Sequence, residues 1–300
     1  MRRNSIKVQL LTGDEFGGSY LTDKALLDYG KKAFGIQTSV SNILHSGFDL
    51  TILSNLQHIE DYAYENIKEP FVKIEHDYGF CNHYDALCNY HNCTVCSRRG
   101  EMWEELNQRA LLNFYMSPAQ FEIHEKHLDE IPNMRFVQSQ IDWKFLKELK
   151  EKTKKIEGLI VSPTFMPGYH KGTSNIINWA EKNKKEVTMC GFCTSKEARQ
   201  IFRGAHFIRY IGKLSSEDTL ELIASAETLI FLPEWVEPTS RVIIEGILLG
   251  CDIITNENIG LYSWCSDPKP IDLEIQIMVS KVAFWDEIFY ALKGSKKCLK

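Results

Sequence analysis

Short apolar runs of strand length alternate with amphipathic runs of helix length along the whole sequence. This alternation restricts the chain to folds built on parallel sheets with helices on both faces. The first unit is Ile6-Lys-Val-Gln-Leu-Leu-Thr12, followed by a glycine turn from Gly13 to Ser19 and a helix carrying Leu21, Ala25, Leu26 and Tyr29. Further strands are expected at 48–53, 70–74, 114–117 and 135–138, and helices at 103–111 and 118–128. A charged helix over 143–155 ends in Glu-Lys-Thr-Lys-Lys, a run that reads as a solvated linker.

A second series then begins, with strands expected at 158–162, 186–190, 207–211, 228–232 and 252–255. Its helices fall at 173–182, 195–202, 216–224 and 239–249. The chain closes on an amphipathic segment over 273–292, whose Phe284, Trp285, Phe289 and Tyr290 read as packing surface. Three hundred residues at about 150 per domain agree with two domains. The expected division is a Rossmann-like domain over 1–155, a second over 156–280 and a terminal helix over 281–300.

Charge narrows the function classes. Thirty-five Lys and Arg against 40 Asp and Glu leave a net charge of −5, so no global positive field would hold a nucleic-acid backbone or an anionic bilayer. The longest uncharged stretch, 33–48, contains Gln37, Thr38, Ser39, Ser41, Asn42 and His45 and cannot cross a membrane. The first residues lack the apolar core of a secretory signal, which points to the cytoplasm. Nine cysteines are an odd number, so complete intramolecular pairing is impossible.

The most informative segment runs from Leu232 to Gly250: Leu-Pro-Glu-Trp-Val-Glu237-Pro-Thr239-Ser240-Arg241-Val-Ile-Ile-Glu245-Gly-Ile-Leu-Leu-Gly. An apolar strand ends at a proline, and Thr239 or Ser240 can cap a helix that is apolar on nearly all sides except at Arg241 and Glu245. A carboxylate on such a helix needs a partner, because an unpaired buried charge costs several kcal/mol. One partner is Arg241, one turn earlier. The other reading has the helix N-terminus facing a diphosphate while Glu237 and Glu245, eight positions apart, accept hydrogen bonds from sugar and ribose hydroxyls.

This segment resembles the E-x7-E signature of retaining glycosyltransferases of the GT-B fold, especially glycosyltransferase family four. The order around it matches as well: Ile211-Gly212-Lys213, a helix from Ser216, Phe231-Leu232-Pro233, the two glutamates, then Gly250-Cys251-Asp252-Ile253-Ile254. The resemblance implies two doubly wound Rossmann-like domains facing a cleft, with the last helix returning to the first domain. It implies that Lys171-Gly172 places a cation on the donor phosphates and that Gly17-Gly18 form a glycine loop near donor and acceptor. It also implies that His76 faces the transferred sugar. The family usually has an arginine five residues before the lysine, where this chain has Met166.

Cys81, Cys88, Cys93 and Cys96 form a C-x6-C-x4-C-x2-C cluster directly after His76-Asp77-Tyr78. In a reducing compartment this spacing reads as a structural zinc site with four thiolate ligands, and an iron–sulfur cluster uses the same ligand set. Cys190 and Cys193 lack a second pair and read as ordinary thiols.

The resemblance therefore implies a glycosyltransferase that uses a nucleotide-diphosphate sugar, needs no metal for donor binding and retains configuration. Its acceptor class stays open among glycan, lipid, protein and modified nucleic acid. Two alternatives stand beside it: a nucleotide-sugar epimerase on the same fold, and a non-catalytic module that binds a partner through the cysteine loop, helped by the basic pair Arg98-Arg99.

Overall fold

The computed structural model describes residues 5–13, 17–56, 65–68, 70–165, 170–192 and 195–298. The chain divides into two compact units, Met1–Ile141 with Ile275–Lys300, and Asp142–Glu274.

The first unit is built on a parallel sheet of β1 (Lys7–Leu11), β2 (Gln37–Ser41), β3 (Leu50–Ser54), β4 (Phe71–Glu75), β5 (Asn113–Tyr115) and β6 (Met134–Phe136). Their order is β2-β1-β3-β4-β5-β6. Every residue of β3 and β4 is buried, as expected of central parallel strands covered on both faces. The edge strand β2 is polar and half-buried; its Gln-Thr-Ser-Val-Ser lacks an apolar run, so it does not read as a strand from sequence. Around the sheet lie α1 (Gly17–Phe34), α2 (Ser97–Arg109), α3 (Pro118–His127) and most of the long terminal helix α9 (Pro270–Cys298). Helix α3 starts where Ser117 accepts a hydrogen bond from the Gln120 amide and Pro118 takes a first-turn position that needs no donor.

The core of this unit joins Val8, Leu10, Ile52, Val72 and Phe114 to Phe284, Trp285 and Ile288 of α9. The Trp285 indole donates to the Leu26 carbonyl at 2.8 Å and lies over Gly30. Phe284 and Trp285 are thus packing residues, whereas Tyr290 is exposed.

The second unit has β7 (Ile156–Phe165), β8 (Val187–Gly191), β9 (Ile208–Tyr210), β10 (Ala226–Ile230) and β11 (Asp252–Ile254), all parallel, in the order β11-β10-β7-β8-β9. Its helices are α4 (Trp143–Lys152), α5 (Thr173–Asn183), α6 (Ser195–Ile201), α7 (Ser216–Ser225) and α8 (Arg241–Leu249). Among the described residues, no helix is long and apolar enough to cross a membrane.

The boundaries found differ from those read in the sequence. The first division falls after Ile141 instead of 155, because α4 packs on α7 and α8 and so belongs to the second unit. Its Asp142 cap receives the Phe145 amide, Leu146 is buried, and Lys150 lies against Gly250. Lys155, in the run read as a linker, donates to the Ala226 carbonyl at 2.6 Å. The second division falls at Ile275 instead of 281, because α9 is one continuous helix that begins at Pro270.

A methyl group at Gly30 would stand 2.6 Å from both the Trp285 ring and Ile36. Gly30→Ala is therefore expected to destabilise the protein by about 1–3 kcal/mol, the usual cost of overpacking. Urea unfolding followed by tryptophan fluorescence checks this, and Trp285→Leu combined with Gly30→Ala should recover part of the loss through relief of the clash.

Candidate functional site

In a parallel sheet, ligand sites form beyond the carboxyl ends of the strands, where neighbouring connections leave in opposite directions. In the first unit that point lies between β1 and β3. There the Gly13 amide bonds the Asn55 carbonyl at 3.0 Å and the Thr12 amide bonds the Ser41 carbonyl at 3.0 Å. Helix α1 opens at Gly17, whose φ of +85° favours glycine, followed by Gly18.

Helix α1 also carries the partner of His76. Asp23 is buried, with Oδ1 at 2.8 Å from His76 Nε2 and Oδ2 accepting from the Ser54 hydroxyl. Burial disfavours a charge on His76, but the Asp23 carboxylate outweighs it and raises the imidazole above its ordinary value. The structure thus brings Gly17, Asp23, Ser54 and His76 to one strand edge. Asp23 was not read as functional from sequence, although a signal was present: it occupies the same helical face as the buried Leu26, Leu27 and Gly30.

Beneath His76 lies a fully buried charge network. Lys73 Nζ stands 3.1 Å from Glu75 Oε2, which also accepts from the Trp103 indole at 2.5 Å, and Glu75 Oε1 receives the Gly79 amide at 3.3 Å. The Lys73 ammonium also lies over the Trp103 ring, 4.8 Å from its centroid. Burial opposes the charge on Glu75, yet Lys73 and the Trp103 donor hold its carboxyl below the ordinary value. The side chain of Gln120 bonds the carbonyls of Glu75 and Asp77 at 3.1 and 2.8 Å, which fixes the turn bearing His76.

His124 is enclosed by Tyr78, Phe80 and Tyr115, and its Nε2 meets the Asp77 carbonyl at 3.1 Å. Nδ1 has no partner, consistent with a neutral ring, and burial pushes the imidazole down to about 4.

In the second unit the corresponding point lies between β7 and β10. Gly172 caps α5 at φ +70°, and a Cβ there would be 1.7 Å from the Leu232 carbonyl oxygen at the end of β10. Only glycine allows this approach. The neighbouring Lys171 reaches Glu237, with Nζ to Oε1 at 2.6 Å across 66 positions of sequence. Asn256 and Asn258 side chains donate to the Pro233 carbonyl, and the Glu237 amide donates to Asn258, which together hold the segment leading into α8.

Ser240 occupies the N-cap of α8 in a left-handed conformation, φ +58°, but its side chain does not make the capping bond expected from sequence. The hydroxyls of Ser240 and of Thr173, the first residue of α5, are buried without a partner. Thr239 is buried beside them. Arg241 and Glu245 form the within-helix pair, Nε to Oε1 at 2.7 Å; burial raises the Glu245 carboxyl against the lowering effect of Arg241. Met166 and Cys193 lie outside the described residues.

The cysteine loop folds against the first unit. The sulfurs of Cys81, Cys88 and Cys96 lie within 4.8 Å of one another, and the Cys93 thiol interacts with those of Cys96 and Cys88. Arg99 is engaged with the Gly79 carbonyl and the Tyr84 hydroxyl, and the exposed Arg98 pairs with Glu65 at 3.7 Å. Arg99 is thus engaged within the protein, whereas Arg98 stays on the surface.

No family model and no curated protein matches the chain in sequence. Solved structures do match in fold. Anabaena HepE, crystallised with UDP-glucose, aligns at 14% identity and TM-score 0.62 over 96% of this chain and 92% of its own. Sucrose-phosphate synthase from Thermosynechococcus elongatus aligns at 11% identity and TM-score 0.67 over 94% and 90%. An α-glucosyltransferase crystallised with UDP and DNA containing an HMU base aligns at 14% identity and TM-score 0.58 over 85% and 82%. This chain has the GT-B fold. At these identities the likeness establishes the fold, and within GT-B each unit places its candidate residues at its own sheet's crossing point.

The buried His124 gives a pH dependence with a defined direction. Its folded-state value lies below the unfolded one, so the neutral ring stabilises fully above about pH 6.5 and that contribution is lost as pH falls towards about 4. His124→Gln should remove about 3 kcal/mol of this acid sensitivity, measured as the difference in unfolding free energy between pH 7 and pH 4. Breaking the deeper pair on one side only, with Glu75→Gln or Lys73→Met, should cost about 3–5 kcal/mol. The double variant should be less destabilised than the sum of the single changes.

Proposed function

We propose that the chain transfers a sugar from a nucleoside-diphosphate donor to an acceptor hydroxyl with retention of configuration, in the manner of the family-four E-x7-E glycosyltransferases. The observation that carries this reading is the meeting of two helix starts at the β7–β10 crossing: Lys171-Gly172-Thr173 opening α5, and Glu237 with Thr239-Ser240 leading into α8. Helix N-termini present amide donors and positive dipole ends, and Lys171 adds a point charge, which together suit a diphosphate. The buried hydroxyls of Thr173 and Ser240 lack partners, and phosphate or sugar oxygens would satisfy both.

In this reading Lys171 and the start of α8 stabilise the leaving diphosphate, where negative charge develops as the glycosidic bond breaks. Glu245 holds the ribose and Glu237 the sugar, and His76 keeps the sugar-facing role that the family resemblance implies. Donor binding needs no metal ion, because the cations are supplied by Lys171 and Arg241. The abundant free thiols suit a reducing compartment, the cytoplasm.

Lys171 and Glu237 neutralise one another at 2.6 Å, so the two sites are coupled. Lys171→Ala should weaken binding of UDP and of UDP-glucose alike by about 1.5–3 kcal/mol, the scale of a hydrogen bond to a charged group. Glu237→Gln should leave UDP binding intact or tighter, because it releases the lysine, while it lowers sugar transfer or donor hydrolysis. Calorimetry with UDP and UDP-glucose, together with product analysis, tests this. Equal loss of both ligands in Glu237→Gln, or no binding of any nucleotide sugar to the wild-type chain, would overturn the assignment.

A further inference from the structure

We propose that Cys81, Cys88, Cys93 and Cys96 bind one zinc ion as thiolates, and that this ion anchors the start of α2 so that Arg99 and Trp103 keep their places in the wall of the recess beside His76. The sulfurs of Cys81, Cys88 and Cys96 lie within 4.8 Å of one another, a spacing for a single ion, and Cys93 is the fourth thiol of the same loop. Four thiolates at about 2.3 Å from a tetrahedral zinc stand about 3.8 Å apart, and the Cys81 and Cys96 sulfurs are 3.7 Å apart. A disulfide needs far closer approach, about 2.05 Å. An iron–sulfur cluster, whose irons are bridged by sulfide, spreads its thiolates more widely than one ion does.

The His83 amide donates to Cys81 Sγ at 3.3 Å, and an amide donor of this kind stabilises a thiolate more than a thiol. The loop itself is tied by tight turns, with Cys96 N to Cys93 O at 3.0 Å and Cys93 N to Tyr90 O at 3.1 Å.

The link to the recess runs through few atoms. Cys96 is the N-cap of α2, and Gly100, one turn on, packs directly under the Tyr90 ring. Arg99 donates to the Gly79 carbonyl at 2.7 Å and to the Tyr84 hydroxyl at 3.1 Å. Trp103 closes on Gly79 so tightly that a Cβ there would be 2.0 Å from the ring. His76, Asp77, Asn55, Tyr84 and Trp103 line one recess. Tyr84 and Trp103 thus stand on the segment that the thiolates organise, and His76 stands on the segment they face. This inference concerns the first unit alone and does not depend on the proposed transfer reaction.

The full chain, purified without chelator, is expected to hold about one zinc. Replacement by cobalt(II) should give the visible bands of tetrahedral thiolate coordination. Stripping the zinc should change the fluorescence contributed by Trp103, read as the difference between the wild type and Trp103→Phe, and adding zinc back should restore it with release of protons. Cys93→Ser, at a half-buried corner, should lose most of the metal, whereas Cys265→Ser outside the loop should keep it. Absence of zinc, iron with acid-labile sulfide in its place, or full zinc retention in Cys93→Ser would overturn the site. Zinc present with Trp103 emission indifferent to its removal would overturn the link to the recess. UDP binding serves as the separate readout of the transferase reading, since its loss or retention leaves the metal result standing.

Discussion

Parallel pairing is the constraint on which both units depend. Every strand of a parallel sheet delivers its carboxyl end to the same edge, so loops from distant parts of the chain converge there without any long-range design beyond strand order. In the first unit this brings the residues after β1, the end of β3 and the end of β4 to one edge, and with them Gly13, Ser54 and His76. In the second unit it brings the residues after β7 beside those after β10, and Lys171 meets Glu237. What strand order cannot supply is close approach, and glycine supplies that: at Gly172 the backbone comes against the Leu232 carbonyl, leaving no space for a side chain.

Much of this was legible in the sequence because the signals were periodic or local. The strand–helix alternation pointed to the parallel architecture, and the central strands β3 and β4 were read in kind and within two residues of their bounds. Polar β2 was not, because an edge strand needs no apolar run. The division between the units was misplaced at α4 because its charged face dominates the sequence, while burial rests on single residues such as Leu146 and on the reach of Lys150 and Lys155.

The site residues divide in the same way. Glycines, cysteines and spaced glutamates carry chemistry in their identity and spacing, so they can be picked out singly. Asp23, Glu75 and Trp103 acquire their roles only from partners across the fold, with Glu75 meeting Trp103 over 28 positions and Asp23 meeting His76 over 53. A lysine and a glutamate two apart in a strand, as in Lys73 and Glu75, look like a solvated face until the strand proves central. There they share one side of the sheet, and charge complementarity becomes obligatory.

That obligation ties together the ground beneath His76. Each buried charge of the Lys73–Glu75 pair is met by the other and by donors or rings from α2, so moving any one of them strands the rest in a medium that cannot solvate it. Gln120 from α3 then fastens the carbonyls on either side of His76 to the same frame. The second unit uses the opposite arrangement. There the carboxylates of Glu237 and Glu245 are buried, while their cations Lys171 and Arg241 keep an exposed side, 28% and 22% of the side chain. A charge enclosed on every side depends wholly on its protein partners, whereas a cation with an exposed side also keeps part of its hydration, so losing a partner costs the Lys73–Glu75 pair more than it costs Lys171 or Arg241.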